Sequence, residues 1–238
     1  MASLILLPNV LHDGEEEVRN VFPPIVQDKV ISLQGLIAES EKEARRYLKR
    51  FVFPEGRTFR EVPLRLLNEH TLPEELQNLL DPLIRGETWG LISDAGLPCL
   101  ADPGASLVAL ARKKGISIEA VPGPSSIFLS LMLSGLSAQK FAFHGYLERD
   151  SSKLRMQIKE LEKQALQQHQ TQLCIEAPYR SQSLLQALVL ELSPQSTLSV
   201  CVNLTAPDQE VWTFSVKEWK KKTLPEIHKK PAIFLFSA

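Results

Sequence analysis

Short apolar runs that break into polar, glycine- or proline-bearing loops and then resume as amphipathic helices constrain this chain more than any other feature. Ser3-Leu4-Ile5-Leu6-Leu7 ends at Pro8-Asn9, Leu36-Ile37-Ala38 ends at Glu39, and Pro63 to Leu67 runs into Asn68-Glu69-His70. The run from Trp89 breaks at Ser93-Asp94-Ala95-Gly96, and Ile116 to Val121 breaks at Pro122-Gly123-Pro124-Ser125-Ser126. Runs this short and this continuously apolar suit buried strands, and the segments between them repeat at helical spacing. Alternating strand and helix predicts a mainly parallel sheet, in which ligands bind outside the carboxyl ends of the strands.

The helical segments have recognisable ends. After Ala38, the helix holding Ala44, Tyr47, Leu48 and Phe51 on one face carries Lys42, Arg45, Arg46, Lys49 and Arg50 on the other, with Glu39, Glu41 and Glu43 near its start. Acids first and bases last suit the helix dipole, and the same face could also contact phosphate. Thr71 with Glu74 reads as a capping box for a helix ending near Gly86. Asp102-Pro103 reads as the cap and first residue of a helix that stops at Gly115. The segment from Glu15 to Asp28 fits either an irregular helix or a covering loop, after a loop at His12-Asp13-Gly14.

The pattern changes after the apolar helix that follows Ser126. Phe141 to Leu147 alternates, and a polar amphipathic helix spans 152 to 169. Strands follow at 171 to 176, 198 to 204, 210 to 216 (the hairpin partner of the preceding one) and 232 to 237, with a helix at 181 to 192. The expected architecture is two α/β lobes with a cleft between them, an N-terminal domain over 1–146 and a C-terminal domain over 147–238.

Composition narrows the function classes. With 44% apolar residues in 238, the chain can bury a substantial core. The formal net charge of -1 leaves no overall electrostatic footprint for nucleic acid or an anionic membrane. Cys99, Cys174 and Cys201 lie far apart among apolar neighbours, which suits buried thiols in a reducing cytoplasm rather than a metal site. The N-terminal apolar block lacks a basic flank and stops at Pro8, so it reads as a strand rather than a signal peptide. No stretch is long enough to span a membrane, and the expectation is a soluble, cytoplasmic protein.

Candidate site residues lie at the strand exits. Ser93 and Asp94 offer polar groups, Ala95 and Gly96 leave the backbone bare for close approach, and Ser125 and Ser126 stand where free backbone N–H groups hold polar ligands. Each serine is also an ordinary helix cap, and His70 at the exit of its strand is a candidate or a plain loop residue. Glu176 and Arg180 are either a wall near a substrate or a structural ion pair.

Four segments in order, S-D-A-G-L-P-C-L-A-D-P-G, V-P-G-P-S-S, F-A-F-H-G-Y-L and I-E-A-P-Y-R, resemble the tetrapyrrole methylase superfamily of S-adenosylmethionine-dependent methyltransferases. The branch they resemble is the ribosomal RNA small subunit methyltransferase I family, which methylates a ribose 2′-hydroxyl of a cytidine. The likeness runs from Leu4 to about Thr205. It implies a homodimer of two-domain α/β chains, S-adenosylmethionine held between the domains, and ribosomal RNA or the small ribosomal subunit as partner, with neither metal nor membrane required. Carried over, the resemblance makes Pro8, Ser93, Asp94, Ala95, Gly96, Pro98, Ser125, Ser126, Asn203, Leu204 and Thr205 cofactor contacts. Glu39 and His70 are the candidates for catalytic work near the acceptor.

The chain also departs from the pattern. Where the family has T-P-I-G-N-L, this sequence has Pro8 and Asn9 without the glycine; A-E-D-T-R becomes Ala38-Glu39-Ser40-Glu41-Lys42, and R-E-L-T-K becomes Val202-Asn203-Leu204-Thr205-Ala206. These changes remove charges on the substrate side and leave the cofactor loop intact. The alternatives to an RNA methyltransferase are a methyltransferase for a small molecule and a catalytically degenerate cofactor-binding or interaction protein.

Overall fold

The computed structural model describes residues 2–12 and 18–238. It divides into two compact units, Met1–Ser125 and Ser126–Ala238. The first holds strands β1 (Ser3–Leu6), β2 (Gly35–Ala38), β3 (Leu64–Leu66), β4 (Thr88–Leu91) and β5 (Ser117–Ala120). Its helices are α1 (Val18–Val21), α2 (Ile25–Ser32), α3 (Glu41–Lys49), α4 (Glu75–Ile84) and α5 (Ala105–Lys113). The undecided segment before Asp28 thus holds α1 and the start of α2 with a break at Phe22 to Pro24, while Asp13 to Glu17 lie outside the described residues.

The sheet is five-stranded with order β3-β2-β4-β1-β5, and every pairing in it is parallel. β1 sits between β4 and β5, as its unbroken apolar run predicts: Leu4 pairs with Trp89 on one side and Ile118 on the other. Side chains alternate between faces. Ile5, Leu7 and Leu36 join Val26, Val30, Tyr47 and Leu48 of α2 and α3, while Leu4, Ile37, Trp89 and Leu91 join Leu79, Leu80, Leu83 and Leu107 of α4 and α5. Gly35 is required inside β2, because a Cβ there would lie 2.3 Å from the Trp89 ring.

Two expected helix starts are displaced. Thr71 does not cap α4; its hydroxyl accepts from the Asn68 N–H at 3.0 Å, and the helix begins at Glu75, whose carboxylate accepts from the Leu72 N–H at 2.8 Å. Nor does Asp102 cap α5: Gly104, with φ 140°, turns the chain and the helix starts at Ala105. The stop at Gly115 is as expected, with φ 72° in the left-handed region.

The second unit begins with α6 (Ser126–Ser134), β6 (Phe141–Tyr146), α7 (Ser151–Gln168), β7 (Thr171–Glu176) and α8 (Ser181–Glu191). It continues through β8 (Thr197–Val202), β9 (Glu210–Ser215), α9 (Val216–Trp219) and β10 (Ala232–Ser237). Its mixed sheet has order β6-β7-β10-β8-β9, with β6 and β7 parallel and the rest antiparallel. The β8–β9 hairpin matches the sequence reading.

The division falls at Ser125/Ser126 rather than at 146/147. β6 is hydrogen-bonded to β7, and α6 packs Ile127 and Leu131 against Leu173, Cys201, Ile233 and Leu235 of the second sheet. An apolar helix with no polar stripe gave no sign of which sheet it would cover.

Candidate functional site

In a parallel sheet all carboxyl ends share one edge, so strand order decides which exits are neighbours. Along this edge stand Asn68 after β3, Glu39 after β2, Ser93 and Asp94 after β4, Pro8 and Asn9 after β1, and Val121 to Ser125 after β5. Residues distant in sequence are therefore adjacent.

Asn9 fastens the two central exits together. It is 2% exposed, and its Nδ2 donates to the carbonyl oxygens of Ser93 and Asp94, each at 2.9 Å. Its Oδ1 accepts from the Val10 N–H at 2.9 Å and from Arg50 at 3.2 Å. The main chain adds Asn9 N–H to Gly96 O at 2.7 Å and Gly96 N–H to Val10 O at 3.3 Å. Pro8 is buried against the β5 exit, where a Cβ on Gly123 would come within 2.1 Å of the Pro8 Cβ. The loop that follows Ser93 is thereby held from the side of β1.

The loop's own backbone is unusual. Gly96, Cys99, Ala101 and Gly104 all have positive φ, at 71°, 68°, 68° and 140°. Two of the four are not glycine, and such conformations persist where surrounding contacts enforce them, often at functional sites. Ser93 is 1% exposed and donates to Ala95 O at 3.0 Å; Gly96 and Pro98 are buried, while Asp94 and Ala95 face solvent.

Carboxylates crowd the centre of the row. The Asp94 N–H donates to Glu39 Oε1 at 3.2 Å. Burial raises the Glu39 carboxyl above its ordinary range, opposed by that hydrogen bond and reinforced by the charges of Asp94 and Glu69. Asp94 is raised by partial burial and by Glu43. Asp102 is pushed up to about 7, first by desolvation and then by the charges of Glu39 and Asp94, with a hydrogen bond to Ser93 pulling the other way. Cys99, beside Asp102, is a thiol held above its usual range by burial and that charge.

The remaining predicted residues are dispersed. His70 lies on the exposed loop after β3, with Nε2 3.6 Å from Glu69 and outside the carboxylate group. Ser125 is 7% exposed and ends the first unit, while Ser126 opens α6 in the second. Asn203-Leu204-Thr205 follow β8 in the second unit, where Asn203 and Thr205 have φ 50° and 73°; Asn203 Nδ2 donates to Asp208 at 2.7 Å and Thr205 N–H to Gln209 at 2.9 Å. Glu176 and Arg180 form an ion pair at 3.1 Å, with the Glu176 side chain 1% exposed. Arg45 of α3 donates to the carbonyls of Phe59 and Val62, and Arg50 just after α3 donates to Asn9, so two of the five expected phosphate-facing cations serve the fold.

Asn9, Arg50 and Asp102 are the contributors that sequence reasoning missed. Asn9 had a signal, since it survives where the family's glycine does not. Arg50 and Asp102 had none: one lay in a charge-rich helix, and the other looked like a cap. Among the described residues, no group of three or more His, Cys, Asp or Glu side chains is placed to hold a metal ion, and no helix is long and apolar enough to cross a membrane.

Comparison with known proteins agrees with this architecture. Residues 28–220 match the family model for Tetrapyrrole (Corrin/Porphyrin) Methylases. A ribosomal RNA small subunit methyltransferase I from Thermotoga maritima is 32% identical over 170 residues, 69% of this chain and 74% of that protein. One from Leptospira borgpetersenii is 33% identical over 143 residues, 59% of this chain and 55% of that protein. The chain spans about half the length of the first curated relatives it matches. Among solved structures, the methyltransferase CobJ superposes with a TM-score of 0.63 at 14% identity, covering 99% of this chain and 94% of that one. With a fold, an order of motifs and a family match that agree, the chain belongs to the tetrapyrrole methylase family.

Proposed function

We propose that this chain is an S-adenosylmethionine-dependent methyltransferase that modifies a ribose 2′-hydroxyl of small-subunit ribosomal RNA. The observation that carries the reading is the loop from Ser93 to Gly96, locked by Asn9 beside Glu39, Asp94 and Asp102. Its support from kinship is that the curated relatives are named ribosomal RNA small subunit methyltransferase I.

The residues fit a cationic cofactor. Burial raises all three carboxyls, the charge of Asp94 adds to the rise at Glu39, and those of Glu39 and Asp94 add to it at Asp102, so a positive ligand relieves that cost. S-adenosylmethionine supplies, when bound, a methyl group activated by a positively charged sulfur. Ser93, Asp94, Ala95, Gly96 and Pro98 would hold it, Gly96 by leaving room for close approach. Asn9 keeps that loop in one shape before the ligand arrives, so alignment costs little on binding. Glu39, whose carboxyl burial raises above its ordinary range and which accepts from the Asp94 N–H beside the loop, is the group to take the proton from the acceptor hydroxyl. The roles of Ser125, Ser126, Asn203, Leu204 and Thr205 as cofactor contacts, homodimer formation and a cytoplasmic location are further parts of the proposal and rest on the resemblance.

Titration calorimetry with S-adenosylmethionine, followed by transfer of labelled methyl to small ribosomal subunits from cells lacking the protein, tests the reading. Saturable heat and label in the RNA are expected. A folded chain giving no heat at millimolar cofactor overturns it, and label confined to small molecules moves it to another acceptor.

A further inference from the structure

The β3 end of the row of strand exits opens onto a groove of about 470 Å³. Arg65 of β3, Asn68 and His70 of the exit loop, and Glu75, Asn78 and Asp81 of α4 line it. The volume is in the range of pockets that enclose a small organic ligand.

Its polar groups are held in place. Asn68 Oδ1 accepts from the His70 N–H at 3.0 Å, its own N–H donates to Thr71 at 3.0 Å, and its Nδ2 points at the Glu39 carbonyl oxygen at 3.5 Å. The Arg65 guanidinium lies 5.4 Å from the Trp89 ring centroid, which fixes its direction. Amides with both donors and acceptors, and one arginine set against two carboxylates, suit a ligand whose edge is neutral and offers hydrogen bonds of both kinds. A nucleobase has such an edge.

We propose that this groove holds the nucleoside of an RNA strand whose hydroxyl receives the methyl group. Asn68 ties the groove to Glu39, and Glu39 is tied in turn to Asp94, so the groove at the β3 exit and the cofactor loop at the β4 exit flank the β2 exit, with Glu39 between acceptor and cofactor. The assignment rests on the methyltransferase reading above.

The test uses the full chain carrying Asn78→Ala and Asp81→Ala, two exposed positions of α4 where alanine favours the helix. Affinity for a labelled single-stranded oligoribonucleotide copied from small-subunit ribosomal RNA is read by anisotropy, and KM and kcat are read on unmodified small subunits. Removing two polar contacts is expected to raise Kd and KM for RNA about ten-fold or more. Cofactor affinity by calorimetry and the melting temperature should stay at the wild-type values. Unchanged RNA affinity and KM in an active enzyme overturn the groove alone, as does an equal loss of cofactor affinity, which would place the groove in the cofactor site. A wild-type chain that binds no S-adenosylmethionine overturns the enzymatic reading and the groove together.

Discussion

The side-chain amide of Asn9 donates to the carbonyl oxygen of Asp94 at 2.9 Å, and through the same nitrogen to that of Ser93. One buried side chain therefore sets the path of the loop after β4. Asn9→Ala leaves two carbonyls and the Val10 N–H without their partner, which should destabilise the chain by about 2–3 kcal/mol in urea unfolding. Cofactor affinity should fall further than in a core variant of equal stability loss, such as Leu107→Ala. Equal affinities in the two variants would show that Asn9 serves only the fold.

Gly123 allows the β5 exit to lie on Pro8. A Cβ there would sit 2.1 Å from the Pro8 Cβ, so Gly123→Ala forces both loops apart and should cost about 1–3 kcal/mol. Gly56, with nothing within 4 Å of its Cβ position, is the spatial control, although its φ of 81° adds a backbone cost of its own. A thermal melt of Gly123→Ala that matches the wild type would contradict the close approach.

Asp102 makes stability depend on pH in a defined direction. Its folded pKa of about 7 lies above the ordinary 3.8, so between those values the unfolded chain gives up its proton first. Stability then falls as pH rises through this window, and the penalty is complete above it and absent below it. Asp102→Asn should raise the melting temperature at pH about 8, worth on the order of 1–2 kcal/mol after solvent screening, and leave it unchanged at pH below about 4. Cofactor binding near neutral pH should also release protons as Asp102 ionises, seen as a calorimetric enthalpy that varies with the buffer's ionisation heat.

Glu176 and Arg180 make the second unit sensitive to a single lost charge. The Glu176 side chain is 1% exposed, and Arg180 also reaches the Glu148 carbonyl at 3.3 Å. Arg180→Ala strands a buried carboxylate and should cost about 3–5 kcal/mol. Adding Glu176→Gln to it should recover part of the loss, measured as a double-mutant cycle. No recovery would assign the cost of Arg180→Ala to its bond with Glu148.

Local features were readable where one residue type had one physical use. The apolar run from Leu4 to Leu7 reads as a buried interior strand, and Ser93 to Gly96 as the loop at a strand exit, and the fold has both. Hydrogen-bonding residues with several uses misled: Thr71 and Asp102 each fit a helix cap, but Thr71 closes a local turn with the Asn68 N–H and Asp102 turns to Ser93. Nothing local announced that β10 would lie between β7 and β8, or that α6 would cover the second sheet, because both depend on which apolar surfaces remain after the others have paired. The carboxylate cluster was hidden for the same reason, since Glu39 and Asp102 come together only through strand order.

The position of β1 has a consequence for how the site arises during synthesis. Leu4 pairs with Trp89 and Ile118, so the strand of this sheet that is made earliest is among the last to find both neighbours. Until β4 and β5 have emerged, that strand offers two unpaired backbone edges and apolar faces to anything nearby, including another nascent chain. Asn9 likewise waits for Ser93 and Asp94, so a chain arrested before β4 holds Asn9 and Glu39 but no loop for them to shape. Binding competence in the first unit therefore arrives late and all at once, as a by-product of closing the sheet.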